Sequence, residues 1–455
     1  MAAFTVYEQL LLELMNRARL DPAGEAARLG IGLNDGLAAG TLTATPKQPL
    51  AGNSPLVTAA RNHSQFMINT DKFNHQGIGD GTPTSRMQAA GYSFTGSWSN
   101  GENIAWVGTT GTPNILNSVF AINDNLFRSP HHRENVLEGY FREAGTGVVS
   151  GPFATGGTTY NAIMATENFA TSGSKYFVTG VAINDTNGNN FYDVGEARAN
   201  VTVRVSTGGA ASGSDVTEAA GGYAAAVSAG AHVVTFSGGG LAAVVSATVF
   251  AGAANAKVDL AGTGEILSSA TTYLGLGAKD LTLLGTAALA GVGNSFNNVI
   301  DGNKGANNLV GMAGNDTIRG GLGNDLITGG AGRDVMTGGL GADRFDFNAL
   351  SELSAFAATR DVITDFTHSD TLALSDRIDL STIDANGAAA GDAFKWIGVS
   401  AFSGVAGQLR YRQENPAGEA SDKTIVEGDV DGNKTVDFQI ELTKLKTLVA
   451  ADFIL

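Results

Sequence analysis

The feature that most constrains the fold of this chain is a run of glycine-rich units that repeat every nine residues. From Gly311 the sequence reads GMAGNDTIR, GGLGNDLIT, GGAGRDVMT and GGLGADRFD. Each unit has an aspartate at its sixth position and an apolar residue at its eighth. Two degenerate units precede them in the same register, with Asn298 and Asn307 at the aspartate position. A fixed period indicates one short structural unit that stacks on copies of itself.

The same units supply the oxygen ligands that a hard cation prefers. Glycine permits turns with positive φ, so backbone carbonyls can converge beside each aspartate. The apolar stripe of such a stack is too thin to offset chain entropy alone, so bound ions would contribute folding free energy. A flexible linker would have no reason to keep aspartate and an aliphatic residue in register. We predict several calcium ions, with these ligands: Asn307, Asp316, Asp325, Asp334 and Asp343.

Composition narrows the function classes. The 455 residues are too many for one ordinary core, so we expect several domains. The net charge of −16 disfavours nucleic acid and anionic membranes as partners, and the absence of cysteine excludes disulfides and thiol catalysis. The first twenty residues have no basic region before an apolar run, so they do not predict a signal peptide. No apolar stretch is long enough to predict a transmembrane segment.

The nonapeptides resemble the RTX, or hemolysin-type, calcium-binding repeats. That resemblance implies a parallel β-roll in which two nonapeptides form one coil, with Asp316 paired to Asp334 and Asp325 to Asp343. The segments RDVITDFTHSDTLALSDRIDLS and VEGDVDGNKTVDFQIELTKLKTLVAADFIL resemble the C-terminal region of serralysin-type proteins. This second resemblance implies export by type 1 secretion machinery through an uncleaved C-terminal signal, and therefore a secreted or cell-surface location.

A second calcium motif precedes the repeats. Oxygen-bearing residues occupy positions 1, 3, 5, 7, 9 and 12 of an EF-hand-like loop: Asp185, Asn187, Asn189, Phe191 through its carbonyl, Asp193 and Glu196. The alternative is a plain Asx-rich turn. With the short alternating strands that follow, the segment resembles the calcium-binding B-type repeat and carboxypeptidase regulatory-like sandwiches. That resemblance implies a small β-sandwich that acts as a spacer.

A third acidic loop near the C-terminus has related spacing. Asp429, Asp431, Asn433 and Asp437 match calcium-loop positions, but Ile440 stands where a bidentate glutamate is expected. A tight hairpin is the alternative reading of this loop.

The N-terminal residues begin with a capping box, Thr5 and Glu8, ahead of an amphipathic helix, and Ser54-Pro55 begins a second helix. The phrases AARNHSQFM, FNHQGIGDGTPTSRMQAAGY, GENIAW and SPHHRENVLEGYFREAGTGVV resemble the bacterial branch of the CAP superfamily of cysteine-rich secretory and pathogenesis-related proteins. This resemblance implies an α-β-α sandwich whose cleft gathers His75, Glu102 and His132.

Two imidazoles and a carboxylate suit zinc or another divalent ion, with His63 as a further candidate member of the cleft. The alternative is a hydrogen-bonded network that ties helices to the sheet, with Arg86 and Arg133 as ion-pair partners. His63 also lies on an apolar helix stripe, so a purely structural role is its own alternative.

We therefore expect a multidomain chain with a CAP-like α-β-α sandwich in residues 1–172 and a β-sandwich in 173–262. A parallel RTX β-roll in 263–347 and a β-rich secretion region in 348–455 would follow. No standard catalytic motif appears. The leading hypothesis is an extracellular calcium-dependent protein that binds a lipid, glycan or cell-envelope component. The alternatives are a metal-dependent hydrolase using His75, Glu102 and His132, and a structural surface or matrix protein.

Overall fold

The computed structural model describes residues 3–77, 79–369, 375–386, 391–415 and 421–455. The chain divides into two compact units, Met1–Ala270 and Thr271–Leu455. Within the described residues, no helix is long and apolar enough to cross a membrane.

The α-helices of the described residues lie in the first half of unit 1. They are α1 (Val6–Leu20), α2 (Pro22–Arg28), α3 (Ser54–Thr70), α4 (Pro83–Ala89), α5 (Ile115–Arg128) and α6 (Pro130–Leu137). The predicted capping box is confirmed, because the Thr5 side chain accepts from the Glu8 N–H and the Glu8 carboxylate accepts from the Thr5 N–H. Helix α3 begins at Ser54 as predicted, with Asn53 as its N-cap and Pro55 in its first turn.

A four-stranded sheet lies among these helices. Its strands are β1 (Ala51–Gly52), β2 (Trp98–Thr109), β3 (Glu143–Thr155) and β4 (Thr158–Ser172), in the order β1-β3-β4-β2. Strand β4 is buried from Ala162 to Thr171, so both of its faces are covered. Helix α3 lies so close to β3 that a Cβ on Gly147 would stand 2.2 Å from the backbone nitrogen of Arg61. Only glycine fits this approach, which fixes α3 and its side chains against the sheet.

The second half of unit 1 consists of strands. They are β5 (Tyr176–Ile183), β6 (Val201–Thr207), β7 (Ala210–Val216), β8 (Gly222–Val227), β9 (Gly230–Gly238), β10 (Val245–Ala251), β11 (Ala256–Ala261) and β12 (Glu265–Ser268). Two strand orders occur within the unit, β7-β6-β9-β10 and β8-β5-β11-β12. Val201, Val203 and Val205 are buried on one face of β6, as alternation requires when one face of a sheet covers a core.

Polar contacts join the two halves of unit 1. The ammonium of Lys257 on β11 lies 2.7 Å from Oε2 of Glu13 on α1 and 2.5 Å from Oδ2 of Asp259, and all three side chains are buried. The guanidinium of Arg17 stacks over the ring of Phe191 at 5.5 Å. Helix α1 therefore forms part of the core of the first half and the docking surface for the second.

Unit 2 is built from stacked parallel strands followed by an antiparallel meander. Its strands are β13 (Thr272–Leu274), β14 (Asp280–Leu283), β15 (Ala290–Val292), β16 (Val299–Asp301), β17 (Asn308–Ala313), β18 (Thr317–Leu322), β19 (Leu326–Ala331), β20 (Val335–Leu340), β21 (Arg344–Asp346), β22 (Asp361–Ile363), β23 (Arg377–Asp379), β24 (Lys395–Trp396), β25 (Gln408–Glu414), β26 (Lys423–Asp429), β27 (Phe438–Thr443) and β28 (Phe453–Ile454). The strand orders within this unit are β13-β15-β17-β19-β21-β23-β28 and β14-β16-β18-β20-β22-β27-β26-β25-β24.

The nonapeptides pair with an offset of eighteen residues, as in a roll of two nonapeptides per coil. Strand β18 places Ile318 opposite Ile300 and Met336, and strand β19 places Ile327 opposite Leu309 and Phe345. All six side chains are fully buried. The apolar eighth position of each nonapeptide therefore faces the interior of a parallel stack.

Candidate functional sites

The repeat aspartates form two ladders along the stack. The backbone N–H of Asp316 donates to Oδ1 of Asp334 at 2.7 Å, and that of Asp325 donates to Oδ1 of Asp343 at 2.8 Å. The Oδ2 atoms of all four aspartates are buried and have no hydrogen-bond partner. One oxygen of each carboxylate therefore accepts a hydrogen bond from the backbone, and the other oxygen is buried without a hydrogen bond.

Glycines make room beside each of these orphaned oxygens. A Cβ on Gly311 would lie 2.3 Å from Oδ2 of Asp316 and 2.4 Å from the carbonyl oxygen of Gly329. A Cβ on Gly320 would likewise lie 2.3 Å from Oδ2 of Asp325 and 2.4 Å from the carbonyl oxygen of Gly338. Carboxylate and carbonyl oxygens thus converge where only a glycine fits, and this is a donor set suited to Ca²⁺.

The pKa values of the ladder aspartates also fit a calcium site. Burial raises the pKa of Asp316 to about 7 and that of Asp325 to about 6, and the neighbouring carboxylate in each ladder adds to the rise. Burial also raises the pKa of Asp334 and of Asp343. A buried carboxylate is costly unless a cation compensates it, so these residues fit calcium. The ions would be held by the aspartate Oδ2 atoms and the adjacent glycine carbonyls.

Asn307, the remaining predicted ligand of the roll, is placed differently. Its side-chain oxygen accepts from the N–H of Asn303 at 2.8 Å, and its side-chain nitrogen donates to Oδ1 of Asn303 at 3.1 Å. Its backbone N–H donates to Asp325, so it continues the ladder. A neutral amide with these partners has no orphaned oxygen of the kind found at the four aspartates.

Both ladders extend beyond the nonapeptides, and sequence reasoning missed the residues that extend them. The N–H of Asp334 donates to Oδ1 of Asp361 at 2.7 Å, and the N–H of Asp343 donates to Oδ1 of Asp376 at 2.9 Å. Oδ2 of Asp361 is buried without a partner, and burial raises the pKa of this carboxyl to about 8. An Asp-x-Ile triplet marks both positions, as it does at Asp316, and this signal was available in the sequence.

The 185–196 loop, predicted to bind calcium, contains residues with left-handed backbone conformations. Asp185, Gly188 and Asn190 all have positive φ, so asparagine serves at the position where glycine is usual. The side-chain amides of Asn187 and Asn189 each donate to Oδ2 of Asp193 at 2.8 Å.

Glu196 ends this loop with one carboxylate oxygen in use and one without a partner. Its Oε1 accepts from Thr186 N–H at 2.7 Å, while its Oε2 is buried and unpartnered. The carbonyl of Phe191 lies in the same loop, directly before the buried side chain of Tyr192. Among the described residues, the carboxylates of Asp185, Asp193 and Glu196 do not all lie within 4.8 Å of one another, and the buried Oε2 of Glu196 is the unpartnered oxygen of the loop.

The 429–437 loop gathers carboxylates. Among the described residues, Asp429, Asp431 and Asp437 are the one group of three or more histidine or acidic side chains whose ligand atoms all lie within 4.8 Å of one another. Loop amides already serve these carboxylates, since Gly432 N–H donates to Asp429 at 2.9 Å and Val430 N–H donates to Asp437 at 2.6 Å. Asn433 lies beside Asp431, whereas Ile440 pairs with Val426 in the sheet.

The histidine cleft is assembled around Glu102 on β2. Nδ1 of His75 lies 2.9 Å from Oε1 of Glu102, and Arg86 on α4 donates to Oε2 of Glu102 at 2.5 Å. His63 on α3 is fully buried, with its Nδ1 2.6 Å from Oδ2 of Asp80 and its Nε2 3.7 Å from Oε1 of Glu102. Asp80, which sequence reasoning did not select, also accepts from Arg86 at 3.0 Å.

His132, the third predicted cleft residue, lies on α6, and its backbone carbonyl accepts from Asn103, the neighbour of Glu102 on β2. Burial lowers the pKa of His132, and the charges of His75 and His131 lower it further, which places His132 in the electrostatic field of His75. Burial also lowers the pKa of His63, against the opposing charge of Glu102. Both imidazoles therefore favour the neutral form, which is the form that binds metals and accepts protons.

Arg133 is not an ion-pair partner in this cleft, contrary to the network hypothesis. Its buried guanidinium donates to the backbone carbonyls of Leu33, Asp35, Phe127 and Arg128. The site contains a hydrogen-bond relay that sequence reasoning missed, in which Asn103 donates to Glu167 at 3.0 Å and to the carbonyl of His132 at 3.1 Å. Cross-strand pairing of Asn103 with Glu167 creates this contact, and no local sequence signal marks it.

Two protein-family models match parts of this chain. Residues 292–327 and 310–345 match the RTX calcium-binding nonapeptide repeat, in four copies. Residues 12–192 match the Cysteine-rich secretory protein family, CAP. The chain therefore carries a CAP domain followed by RTX calcium-binding repeats, an arrangement that indicates a calcium-binding extracellular protein.

Solved structures give more distant likenesses. Two are the AlgE6R3 and AlgE6R2 subunits of the Azotobacter vinelandii mannuronan C5-epimerase. The AlgE6R3 subunit is 24% identical to this chain, and the match covers 36% of this chain and 80% of the subunit with a TM-score of 0.26. The second is 23% identical, covers 37% and 92%, and has the same TM-score of 0.26.

A third likeness is an extracellular SCP-domain protein from Bacillus anthracis str. Ames. It is 20% identical, covers 37% of this chain and 44% of its own, and has a TM-score of 0.24. No curated protein matches the chain.

Proposed function

We propose that this chain is a secreted binding protein that folds around calcium outside the cell and presents its CAP domain to a lipid, glycan or cell-envelope component. The observation that carries the calcium part is the set of orphaned buried oxygens on Asp316, Asp325, Asp334 and Asp343. Ions at these oxygens would convert a destabilised stack into a stable one, because binding only to the folded state stabilises that state.

The calcium dependence of folding would also suit export of the chain in an unfolded state. In a compartment with little free calcium, four uncompensated carboxylates in a thin core oppose folding, so the repeats would stay unfolded for passage through type 1 secretion machinery. In external calcium they would fold. The C-terminal residues that resemble the serralysin-type region would carry the uncleaved signal for that passage, and the 185–196 loop would add a further calcium site in unit 1.

Removal of ladder carboxylates tests the calcium part. The double variant Asp316→Asn/Asp334→Asn should bind less calcium and require at least a tenfold higher calcium concentration to reach half of its β-sheet circular dichroism signal. Asp301→Asn is the matched control, since Asp301 lies in the same stack but is partly exposed and pairs with Arg319 at 2.9 Å. A full-length chain whose dichroism is identical in calcium and in excess chelator would contradict the proposal.

One observation favours a second candidate for the cleft, a metal-dependent hydrolase. Among the described residues, the buried Nε2 of His63 has no hydrogen-bond partner, while its Nδ1 is oriented by Asp80, and metal-binding histidines commonly have such a carboxylate behind the ring. Glu102 is already bound by Arg86, however, so a metal would compete with a buried ion pair.

Zinc content separates the two roles for the cleft. If His63→Ala and His75→Ala/His132→Ala leave the bound zinc of the full-length protein unchanged, the hydrolase candidate fails. If they remove stoichiometric zinc, the hydrolase candidate gains support.

A further inference from the structure

Away from the histidine cleft, unit 1 has a groove lined by exposed aromatic rings. It has a volume of about 410 Å³ and is lined by Trp98, Tyr140 and Tyr176, with Arg142, Gln48 and Ser97 among them. Trp98 is 49% exposed and Tyr140 is 52% exposed. Large aromatic side chains are costly to leave in water, so two of them at one groove indicate a ligand surface.

The rings are held in place from behind. The ring of Trp98 packs against Phe94 at 4.6 Å between centroids, and that of Tyr140 packs edge-on against buried Phe141 at 5.0 Å. Each ring is therefore held by a neighbouring aromatic ring while about half of its residue surface stays exposed to solvent. Rigid aromatic groups lose little conformational entropy when they bind, so this arrangement is prepared for stacking.

Arg142 supplies a fixed positive charge in the same groove. Its Nε donates to Thr171 at 2.6 Å, its Nη2 donates to the carbonyl of Gly173, and its guanidinium lies 5.4 Å over the ring of Tyr176. Among the described residues that line the groove, none carries a carboxylate, although the whole chain has a net charge of −16. The groove is therefore a local site for a negatively charged group on a strongly acidic protein.

We infer that this groove binds an acidic oligosaccharide, with sugar rings stacked on Trp98 and Tyr140 and a carboxylate directed to Arg142. Sugar rings present C–H faces that pack on aromatic rings, while their hydroxyls need nearby polar partners such as Ser97 and Ser99, which also line the groove. The planar guanidinium matches a carboxylate better than a point charge does. The inference rests on the proposed binding role and gives it a ligand class and a location.

Intrinsic fluorescence can follow binding, because Trp98 is one of only three tryptophans in the chain. Full-length protein in saturating calcium should bind tetragalacturonate, with a signal that weakens as salt is added. Maltotetraose, a neutral probe of the same length, should bind at least tenfold more weakly. Equal affinity for the two probes would overturn the role given to Arg142.

Variants locate the site. Trp98→Ala and Tyr140→Ala should each weaken tetragalacturonate binding at least tenfold, measured by calorimetry. Phe250→Ala is the matched control, since Phe250 is 45% exposed on a strand that does not line this groove and its removal should change nothing. Loss of tetragalacturonate binding in His75→Ala/His132→Ala, with both aromatic variants unaffected, would place the ligand in the cleft and overturn the inference. Binding that survives both aromatic substitutions, or its absence from calcium-loaded wild-type protein, would overturn the inference.

The calcium test remains independent of these outcomes. If the protein folds on calcium but binds no oligosaccharide, this inference fails while the calcium part of the proposed function stands.

Discussion

At the scale of single residues, buried carboxyl groups that have no cation beside them should make the stability of this protein depend on pH. Glu167 on β4 is the clearest case in unit 1: its Oε2 accepts from Asn103, its Oε1 has no partner, and burial raises its pKa to about 7. Between its ordinary pKa of 4.5 and about 7, the folded state holds a proton that the unfolded state has released. The contribution of Glu167 to stability is therefore lost as pH rises through that range.

Glu167→Gln should remove this pH response. The variant should be about as stable as the wild type at pH 5 and more stable at pH 8, by on the order of 1 to 3 kcal/mol. Urea unfolding of the full-length protein in saturating calcium, with hydrogen exchange of the β4 amides as the local readout, measures the difference. Glu134→Gln serves as control, because Glu134 is partly exposed and pairs with exposed His131. An unchanged pH profile in Glu167→Gln would contradict the assignment.

The residue scale also shows what the sequence could and could not predict at the candidate sites. The ladder aspartates were predictable because a fixed period of nine forces identical environments on identical positions. Asp361 lies 27 residues after Asp334, which is three further periods, yet no glycine lies between Gly341 and Asp361, and the register alone did not single it out. Asp80 and Glu167 reach their partners through the packing of α3 and the pairing of β2 with β4, which no local pattern encodes.

At the scale of elements, helix α1 connects the two halves of unit 1 through a buried ion cluster. Lys257→Met should leave the carboxylates of Glu13 and Asp259 buried without a cation and destabilise unit 1 by about 3 to 5 kcal/mol. Replacing all three groups, as Glu13→Gln/Lys257→Met/Asp259→Asn, should cost much less, because no charge then remains buried. Denaturant unfolding followed at the α1 and β11 amides distinguishes these outcomes.

Lys423→Met is the matched control for the cluster. Its ammonium lies 2.8 Å from Glu441, but the side chain is 37% exposed, so its loss should cost about 1 kcal/mol or less. A triple variant as unstable as Lys257→Met would show that shape and packing, rather than unpaired charge, determine the cost.

Elements also mark the limit of prediction from sequence for the fold. The resemblance to RTX repeats implied parallel strands offset by eighteen residues, because two nonapeptides form one coil in that family. The strands that close the stack were not predictable in the same way: β22 pairs with β27, and β23 with β28, across separations of more than seventy residues. Such long-range pairings depend on burial and register that only the folded chain defines.

At the scale of the whole molecule, calcium should control the two units unequally. In unit 2 the orphaned carboxylate oxygens recur along the stack at Asp316, Asp325, Asp334, Asp343 and Asp361. In unit 1, helices and sheets bury extensive apolar cores, and the one unpartnered calcium-loop oxygen among the described residues belongs to Glu196. We therefore expect chelation to remove the main stabilising contribution from unit 2 and a smaller one from unit 1.

Hydrogen exchange of the full-length protein with and without chelator measures this difference. Strands β16 to β21 should lose their protection, and the loss should continue through β22 and β27, because Asp361 joins the ladder to the strands that follow the repeats. Strands β2, β3 and β4 should stay protected.

Asp361→Asn should shift the loss of protection in β22 and β27 to a higher calcium concentration. Asp365→Asn is the control, since Oδ1 and Oδ2 of Asp365 already accept from Gly338 and Gly339. If hydrogen-exchange protection changes with calcium in β18 and β20 but not in β22, the bound ions lie within the nonapeptides alone.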